Sequence, residues 1–187
     1  MSRFVLLDRD GVINRRVPDG YVTSWEQFRF LPRSIDAIAR LAKAGFRVIV
    51  ISNQACVGKS LLTPEDLEVI TARFLAEVER CGGRIEAVYY CPHREEDGCE
   101  CRKPRPGLIV RAQKEHGFRF SDTYLIGDSE RDLLAARNAG CSAIMIQSET
   151  ALSPGQSTQL AQATVGGLYE AVEYILAQPR GRGSGGA

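Results

Sequence analysis

The chain has 187 residues, 44% of them hydrophobic, and a formal net charge of +1 from Lys+Arg 24 against Asp+Glu 23. That length supports one compact domain with a proper core and is short for two. Charge forms no long run of either sign, which argues against a nucleic-acid or membrane-surface partner. No apolar run reaches the length of a signal peptide or a membrane span, so a soluble cytoplasmic protein is expected.

Phe4-Val5-Leu6-Leu7 is an apolar run that stops at charge and glycine, and it reads as a buried parallel strand. It delivers Asp8-Arg9-Asp10-Gly11. Residues two apart on a strand share a face, so Asp8 and Asp10 are expected to project toward one site. Two carboxylates that close repel unless a cation or a proton separates them. The pattern suits Asp8 as an Mg²⁺-bound nucleophile and Asp10 as a proton carrier. The plainer alternative is a strand followed by a polar turn.

Ser34–Ala44 carries Ile35, Ile38, Leu41 and Ala42 at helical spacing. Val48–Ser52 reads as the second strand and ends in Ser52-Asn53-Gln54, where a hydroxyl and amides could donate to phosphate oxygens. Asn53–Ser60 comes within one residue of a P-loop. A P-loop needs a helix that starts at its Lys-Ser, whereas the strong helix start comes later. It is Thr63-Pro64-Glu65-Asp66, with Thr as cap, Pro first and acids in the first turn. That helix is expected to run to about Cys81 and stop at Gly82-Gly83.

Ala87–Cys91 reads as the third strand. It opens the segment Cys91-Pro92-His93 … Cys99-Glu100-Cys101, two close ligand pairs on one loop. This spacing matches a tetrahedral structural zinc held by Cys91, His93, Cys99 and Cys101, a closed site that folds its loop rather than catalysing. Cys81 and Cys141 read as small residues in or near the core. Arg102-Lys103-Pro104-Arg105-Pro106 follows at once, and its prolines stiffen it. Lys103 could neutralise a nucleophilic aspartate and a bound phosphate together.

Leu108–His116 and Glu130–Ala139 read as helices, closed by Gly117 and Gly140, and Thr123–Ile126 and Ala143–Gln147 as strands. Gly127-Asp128-Ser129-Glu130-Arg131-Asp132 lies where a strand enters a helix. Asp128 could complete an Mg²⁺ oxygen shell with Asp8, and Asp132, one turn on, could brace the loop or the lysine. A helix cap is the plainer reading of Asp128. Residues 178–187 read as a disordered tail beyond a single domain of 1–177. Alternating strands and helices predict an α/β, three-layer, Rossmann-like sandwich with a mainly parallel sheet and its ligand beyond the carboxyl ends of the strands.

Taken in order, these motifs resemble the haloacid dehalogenase superfamily of aspartate-nucleophile phosphatases. The likeness runs from about Phe4 to Gln147 and is strongest to its small capless branch with a zinc-binding loop, that of the heptose-bisphosphate and histidinol-phosphate phosphatases. Asp19-Gly20-Tyr21-Val22 and Arg105-Pro106-Gly107-Leu108 are more similar to the heptose side. The resemblance implies an Mg²⁺-dependent phosphatase that removes the 7-phosphate of D-glycero-D-manno-heptose 1,7-bisphosphate through an aspartyl-phosphate. The setting would be the making of nucleotide-activated heptose for lipopolysaccharide or surface polysaccharide. Asp8 would be the nucleophile and Asp10 the general acid and base. Asp8, Asp10 (by its main-chain carbonyl) and Asp128 would hold Mg²⁺. Ser52, Asn53 and Lys103 would hold the phosphoryl group, with Gln54, Arg102, Asp19, Tyr21 and Ser129 near the substrate. The heptose enzymes carry Lys after the metal aspartate, where this chain has Ser129. A monomer acting on a small sugar phosphate is expected. The rival expectations are histidinol phosphate as substrate, or a zinc-stapled binding module without catalysis.

Overall fold

The computed structural model describes residues 2–147 and 160–178. All but the first residue of the expected tail therefore lies outside the described residues. The chain order is β1 Arg3–Leu7, α1 Ser34–Lys43, β2 Phe46–Asn53, α2 Ala55–Gly58, α3 Pro64–Arg80, β3 Ile85–Cys91, α4 Gly107–His116, β4 Tyr124–Gly127, α5 Glu130–Ala139, β5 Ser142–Ile146, β6 Ala163–Val165 and α6 Leu168–Ala177. Among the described residues six strands form one sheet in the order β3-β2-β1-β4-β5-β6, and every neighbouring pair is parallel.

Strand alternation builds two cores, one on each side of the sheet. Val5 and Leu7 of β1 join Val48, Val50, Ile126 and Ile144 on one face, beneath α1, α3 and α6. Phe4 and Leu6 join Ile49, Ile51, Leu125 and Ala143 on the other, beneath α4 and α5. Both faces are covered, so the central strands read as continuous apolar runs rather than alternating ones. The helices bury one stripe each, as α3 does with Leu67, Ile70, Phe74 and Val78.

Local chemistry sets the helix ends. Thr63 Oγ1 accepts from Asp66 N at 3.0 Å, with Pro64 at the first helical position. The short helix α2 ends before Lys59-Ser60 and the next helix starts at Pro64, so no helix begins at the Lys-Ser pair as a P-loop requires. Gly117 and Gly140 end α4 and α5 in the left-handed conformation. β6 and α6 escaped the sequence reading, although Leu168, Ala171, Val172 and Ile175 have helical spacing and are buried. Cys81 corrects the expectation of a core residue: it follows the last turn of α3 and is exposed.

In this strand order the chain reverses direction across the sheet between β1 and β4. Helices leave the two strands on opposite faces there, which opens a crevice beyond their carboxyl ends. Asp8 follows β1 and Asp128 follows β4, so the topology delivers both to that crevice.

Candidate active site

Asp8 N donates to Ile126 O at 2.9 Å, which extends the β1–β4 ladder one residue past β1. The carboxylate is thereby fixed by backbone. Asp8, Asp128 and Asp132 are buried and place carboxylate oxygens within 4.8 Å of one another. Lys103 lies among them, with Nζ 2.9 Å from Asp8 Oδ1 and 2.5 Å from Asp132 Oδ1. Its Nζ also donates to Ile51 O at 2.8 Å. Burial alone would push the Lys103 ammonium down, but Asp132 and Asp8 outweigh it and raise it. Asp8 goes the other way from an ordinary carboxyl: burial pushes it up to about 6, against the pull of Lys103 and with a further push from Asp132 and Asp128. Burial also raises Asp128, opposed by Arg16.

Two glycines make this closeness possible. A Cβ on Gly127 would lie 2.2 Å from Asp132 Cβ. Gly11 has φ +89°, and a Cβ there would lie 1.7 Å from Asp128 Oδ2. Neither position admits a side chain.

Asp10 parts from Asp8. β1 ends at Leu7, so strand alternation does not carry on to Asp10. Its carboxylate instead takes Arg9 Nε and Nη2, both at 3.1 Å, Asn14 Nδ2 at 2.8 Å and Gln54 Nε2 at 2.7 Å. Burial pushes Asp10 up, but Arg9, Asn14 and Gln54 more than offset it and hold the carboxyl below its usual range. Arg9 is fully buried, an unusual place for an arginine, and its Nη2 also donates to Gln54 Oε1 at 3.1 Å. The only signal for this role in the sequence is a cation between two aspartates.

The other expected site residues divide in the same manner. Ser52 is buried and accepts from Gln54 Nε2 at 3.1 Å. Gln54 spends its amide on Asp10, Ser52 and Arg9 and is itself buried. Asn53 ties down the lysine loop: its Nδ2 donates to Lys103 O and its Oδ1 accepts from Lys103 N, each at 3.1 Å. Ser129 turns inward, its N–H and hydroxyl both donating to Asp132 Oδ2 at 3.1 and 2.5 Å. Asp19 is exposed with φ 50°, and Tyr21 lies half-buried with Lys59 Nζ 5.3 Å from its ring centroid. Arg102 lines a cavity of ≈ 170 Å³ beside Lys103, with Arg105, Arg131 and one acid, Glu95.

The Cys/His segment begins where the sheet ends. In the β2–β3 ladder Asn53 pairs with Cys91, so the segment leaves beside Asn53 and returns to it at Lys103. Cys91, His93, Cys99 and Cys101 converge, with Sγ···Sγ distances of 3.3, 3.4 and 3.6 Å and His93 Nδ1 3.2 and 3.7 Å from two of the sulfurs. All six cysteines are free thiols. A tetrahedral ion with Zn–S near ~2.3 Å has S···S edges of roughly 3.8 Å, so one ion fits this cluster with little adjustment. The acidic trio is oxygen-only, a donor set that suits a hard cation such as Mg²⁺.

A doubly wound parallel sheet that sets buried carboxylates and a lysine at its switch point is an α/β frame suited to phosphoryl chemistry at an aspartate. Comparison with known proteins agrees. Residues 100–164 match the family model described as HAD-hyrolase-like. The chain is similar to the D-glycero-beta-D-manno-heptose-1,7-bisphosphate 7-phosphatase of Pseudomonas aeruginosa, at 40% identity over 79% of this chain and 83% of the relative. It is also similar to the D-glycero-alpha-D-manno-heptose-1,7-bisphosphate 7-phosphatase of Mycobacterium bovis, at 34% identity over 97% and 94%. The crystal structure of D,D-heptose 1,7-bisphosphate phosphatase from B. bronchiseptica, complexed with magnesium and phosphate, superposes with TM-score 0.83 and 31% identity over 93% of this chain and 98% of that one. The chain belongs to the HAD-like hydrolases, in the heptose-1,7-bisphosphate 7-phosphatase family.

Proposed function

We propose that this protein hydrolyses the 7-phosphate of D-glycero-D-manno-heptose 1,7-bisphosphate and leaves the anomeric phosphate in place. The observation that carries this reading is Asp8: a buried carboxylate fixed by the β1–β4 ladder, paired with Lys103 and beside Asp128. Relatives named for that reaction support the substrate.

In the first displacement an Asp8 oxygen attacks phosphorus. The bond from phosphorus to the sugar oxygen breaks, and Asp10 gives that oxygen a proton. In the second, Asp10 takes a proton from water, the water oxygen attacks the aspartyl-phosphate, and the Asp8 carboxylate departs with inorganic phosphate released. The network around Asp10 holds it as a carboxylate, the form the second displacement needs; donation in the first requires it to take up a proton against the pull of Arg9. Lys103 neutralises Asp8 and the phosphoryl oxygens, and Asn53 holds its main chain. Asp8, Asp128 and the main chain of Asp10 would hold Mg²⁺, which when bound would supply positive charge that offsets the negative charge of nucleophile and phosphate. Asp132 is already engaged by Lys103 and Ser129 and serves to place the lysine. Cys91, His93, Cys99 and Cys101 would hold a structural Zn²⁺ that orders the segment carrying Arg102 and Lys103.

The cavity beside Lys103 joins Arg102, Arg105 and Arg131 against a single acid. It favours a second phosphate and disfavours the cationic amine and imidazole of histidinol phosphate. In this reading the protein is a cytoplasmic monomer, one domain over 1–177, acting in the biosynthesis of nucleotide-activated heptose for lipopolysaccharide or a surface polysaccharide. The test is phosphate release from the α and β anomers of the bisphosphate, histidinol phosphate and p-nitrophenyl phosphate. The highest kcat/KM is expected for one of the bisphosphate anomers. A higher value for histidinol phosphate overturns the substrate, and no release from any of them overturns the enzyme.

A further inference from the structure

Two cations meet the acidic trio, and they are held differently. Lys103 is buried and has three partners: Asp8, Asp132 and Ile51 O. Arg16 comes from the segment between β1 and α1, and 49% of its side chain is exposed. Its Nε donates to Asp128 Oδ2 at 2.5 Å and its Nη2 to Asp128 Oδ1, a fork that takes both oxygens. The same Nη2 lies 4.0 Å from Asp8 Oδ2. The guanidinium therefore stands in the interval between Asp128 and Asp8. Gly11 keeps that place open: a Cβ there would lie 2.9 Å from Arg16 Nε.

A divalent cation held by both Asp8 and Asp128 would need the same interval. Asp128 alone has lone pairs enough for two cations. With Nη2 bonded to Asp128 and 4.0 Å from Asp8 Oδ2, a cation held by both carboxylates would lie beside the guanidinium, and the two positive charges would repel. Among the described residues the only hydrogen-bond and ion-pair partners of the Arg16 guanidinium are these two carboxylates. Its exposed stem leaves it a way out to solvent.

We propose that Arg16 competes with the divalent cation for Asp128, so that metal binding drives the guanidinium out and loosens the segment Arg15–Val22 that carries it. This rests on the reading of Asp8 and Asp128 as metal ligands. Arg16 then sets metal affinity without being a ligand, and it couples arrival of the metal to the segment expected to meet the substrate.

The test is direct binding of Mn²⁺ to the full chain, by calorimetry or by the EPR signal of free ion, for wild type, Arg16→Met, Arg16→Lys and Asp8→Asn. Arg16→Met is expected to bind Mn²⁺ at least about tenfold more tightly, equal to ~1.4 kcal/mol. Arg16→Lys should fall between, since one ammonium cannot fork both oxygens. Hydrogen exchange over residues 14–22 should quicken on adding Mn²⁺ to wild type and stay unchanged in Arg16→Met. Equal affinity of wild type and Arg16→Met overturns the proposal. Weaker binding by Arg16→Met overturns it too, and makes Arg16 a support for Asp128 instead. Wild type that binds Mn²⁺ no better than Asp8→Asn removes the metal reading itself, an outcome distinct from the other two.

Discussion

Asp8, Asp128 and Asp132 stand at the ends of central strands and in the first turn of α5, and all three are buried. Cys91, His93, Cys99 and Cys101 share one connecting segment, where only Cys91 is buried and His93 is exposed. The first cluster is held by ladder hydrogen bonds, close-packed glycines and Lys103. The second is held by loop hydrogen bonds, among them Gly58 N to Pro92 O at 3.0 Å, Arg94 Nε to Gly58 O at 2.7 Å and Gly107 N to Glu100 O at 3.1 Å, with no strand ladder around three of its four ligands. An ion at the first site would add chemistry to a buried geometry; an ion at the second would tie together the ligands of a mostly solvent-facing segment. The two are joined through Asn53, which pairs with Cys91 in the sheet and with Lys103 by its side chain.

The sharpest break in this comparison is Asp8→Asn. An amide cannot attack phosphorus, so kcat should fall on the order of 10⁴-fold or more. Melting temperature should stay within a few degrees of wild type, because the ladder bond at Asp8 is made by its main chain. More than a few per cent of wild-type turnover in the purified variant would remove the assignment.

Next comes metal removal. Mild EDTA that strips Mg²⁺ should abolish activity reversibly and leave the melting temperature nearly unchanged. Loss of zinc, by a strong chelator or Cys101→Ser, should lower stability by at least ~2 kcal/mol, a fall of roughly 4–8 °C. It should also open residues 92–102 to protease. Metal analysis is expected to find one zinc per chain in untreated protein, and its absence would contradict the reading of the cluster.

A smaller effect separates the two aspartates by pH. The Asp8 carboxyl is raised from 3.8 to about 6. The folded state therefore holds its proton more tightly than the unfolded chain. The stability this contributes is full below about pH 4 and is lost as pH rises through about 6, on the order of 3 kcal/mol. Asp10 is lowered and has the opposite sign: its contribution is present above about pH 4 and is lost as pH falls through its depressed pKa. Urea unfolding in EDTA between pH 4 and 7 should show a wild-type stability loss that is missing from Asp8→Asn. Equal slopes in the two proteins would refute it.

The smallest effect concerns Ser129. Its N–H and hydroxyl both go to Asp132, which also holds Lys103. Ser129→Ala should cost about 1 kcal/mol of stability and change turnover only a few-fold. Ser129→Lys should lower KM for the bisphosphate and leave p-nitrophenyl phosphate turnover nearly unchanged. An unchanged KM would assign the second phosphate to the arginines of the neighbouring cavity alone.

Much of this was legible in the chain itself. Five of the six strands and the helices α1, α3, α4 and α5 follow from apolar spacing, caps and terminal glycines, with ends shifted by a residue or two. The Cys/His cluster was legible for the same reason: its ligands lie within eleven residues, so their spacing decides that they can meet. The acidic trio was legible only in its parts. Asp8 and Asp128 lie 120 positions apart, and what joins them is the order β2-β1-β4, which no local pattern encodes. Asp10 shows the same limit at close range. It lies two residues from Asp8, but β1 stops at Leu7, and the network of buried Arg9, Asn14 and Gln54 that holds its carboxylate is not what strand alternation predicts. The sequence by itself determined which donors exist and which neighbours along the chain can converge. The tertiary structure alone decided which partner each buried charge takes, because a charge removed from water must find its counter-charge among whatever side chains the packed strands and helices bring beside it.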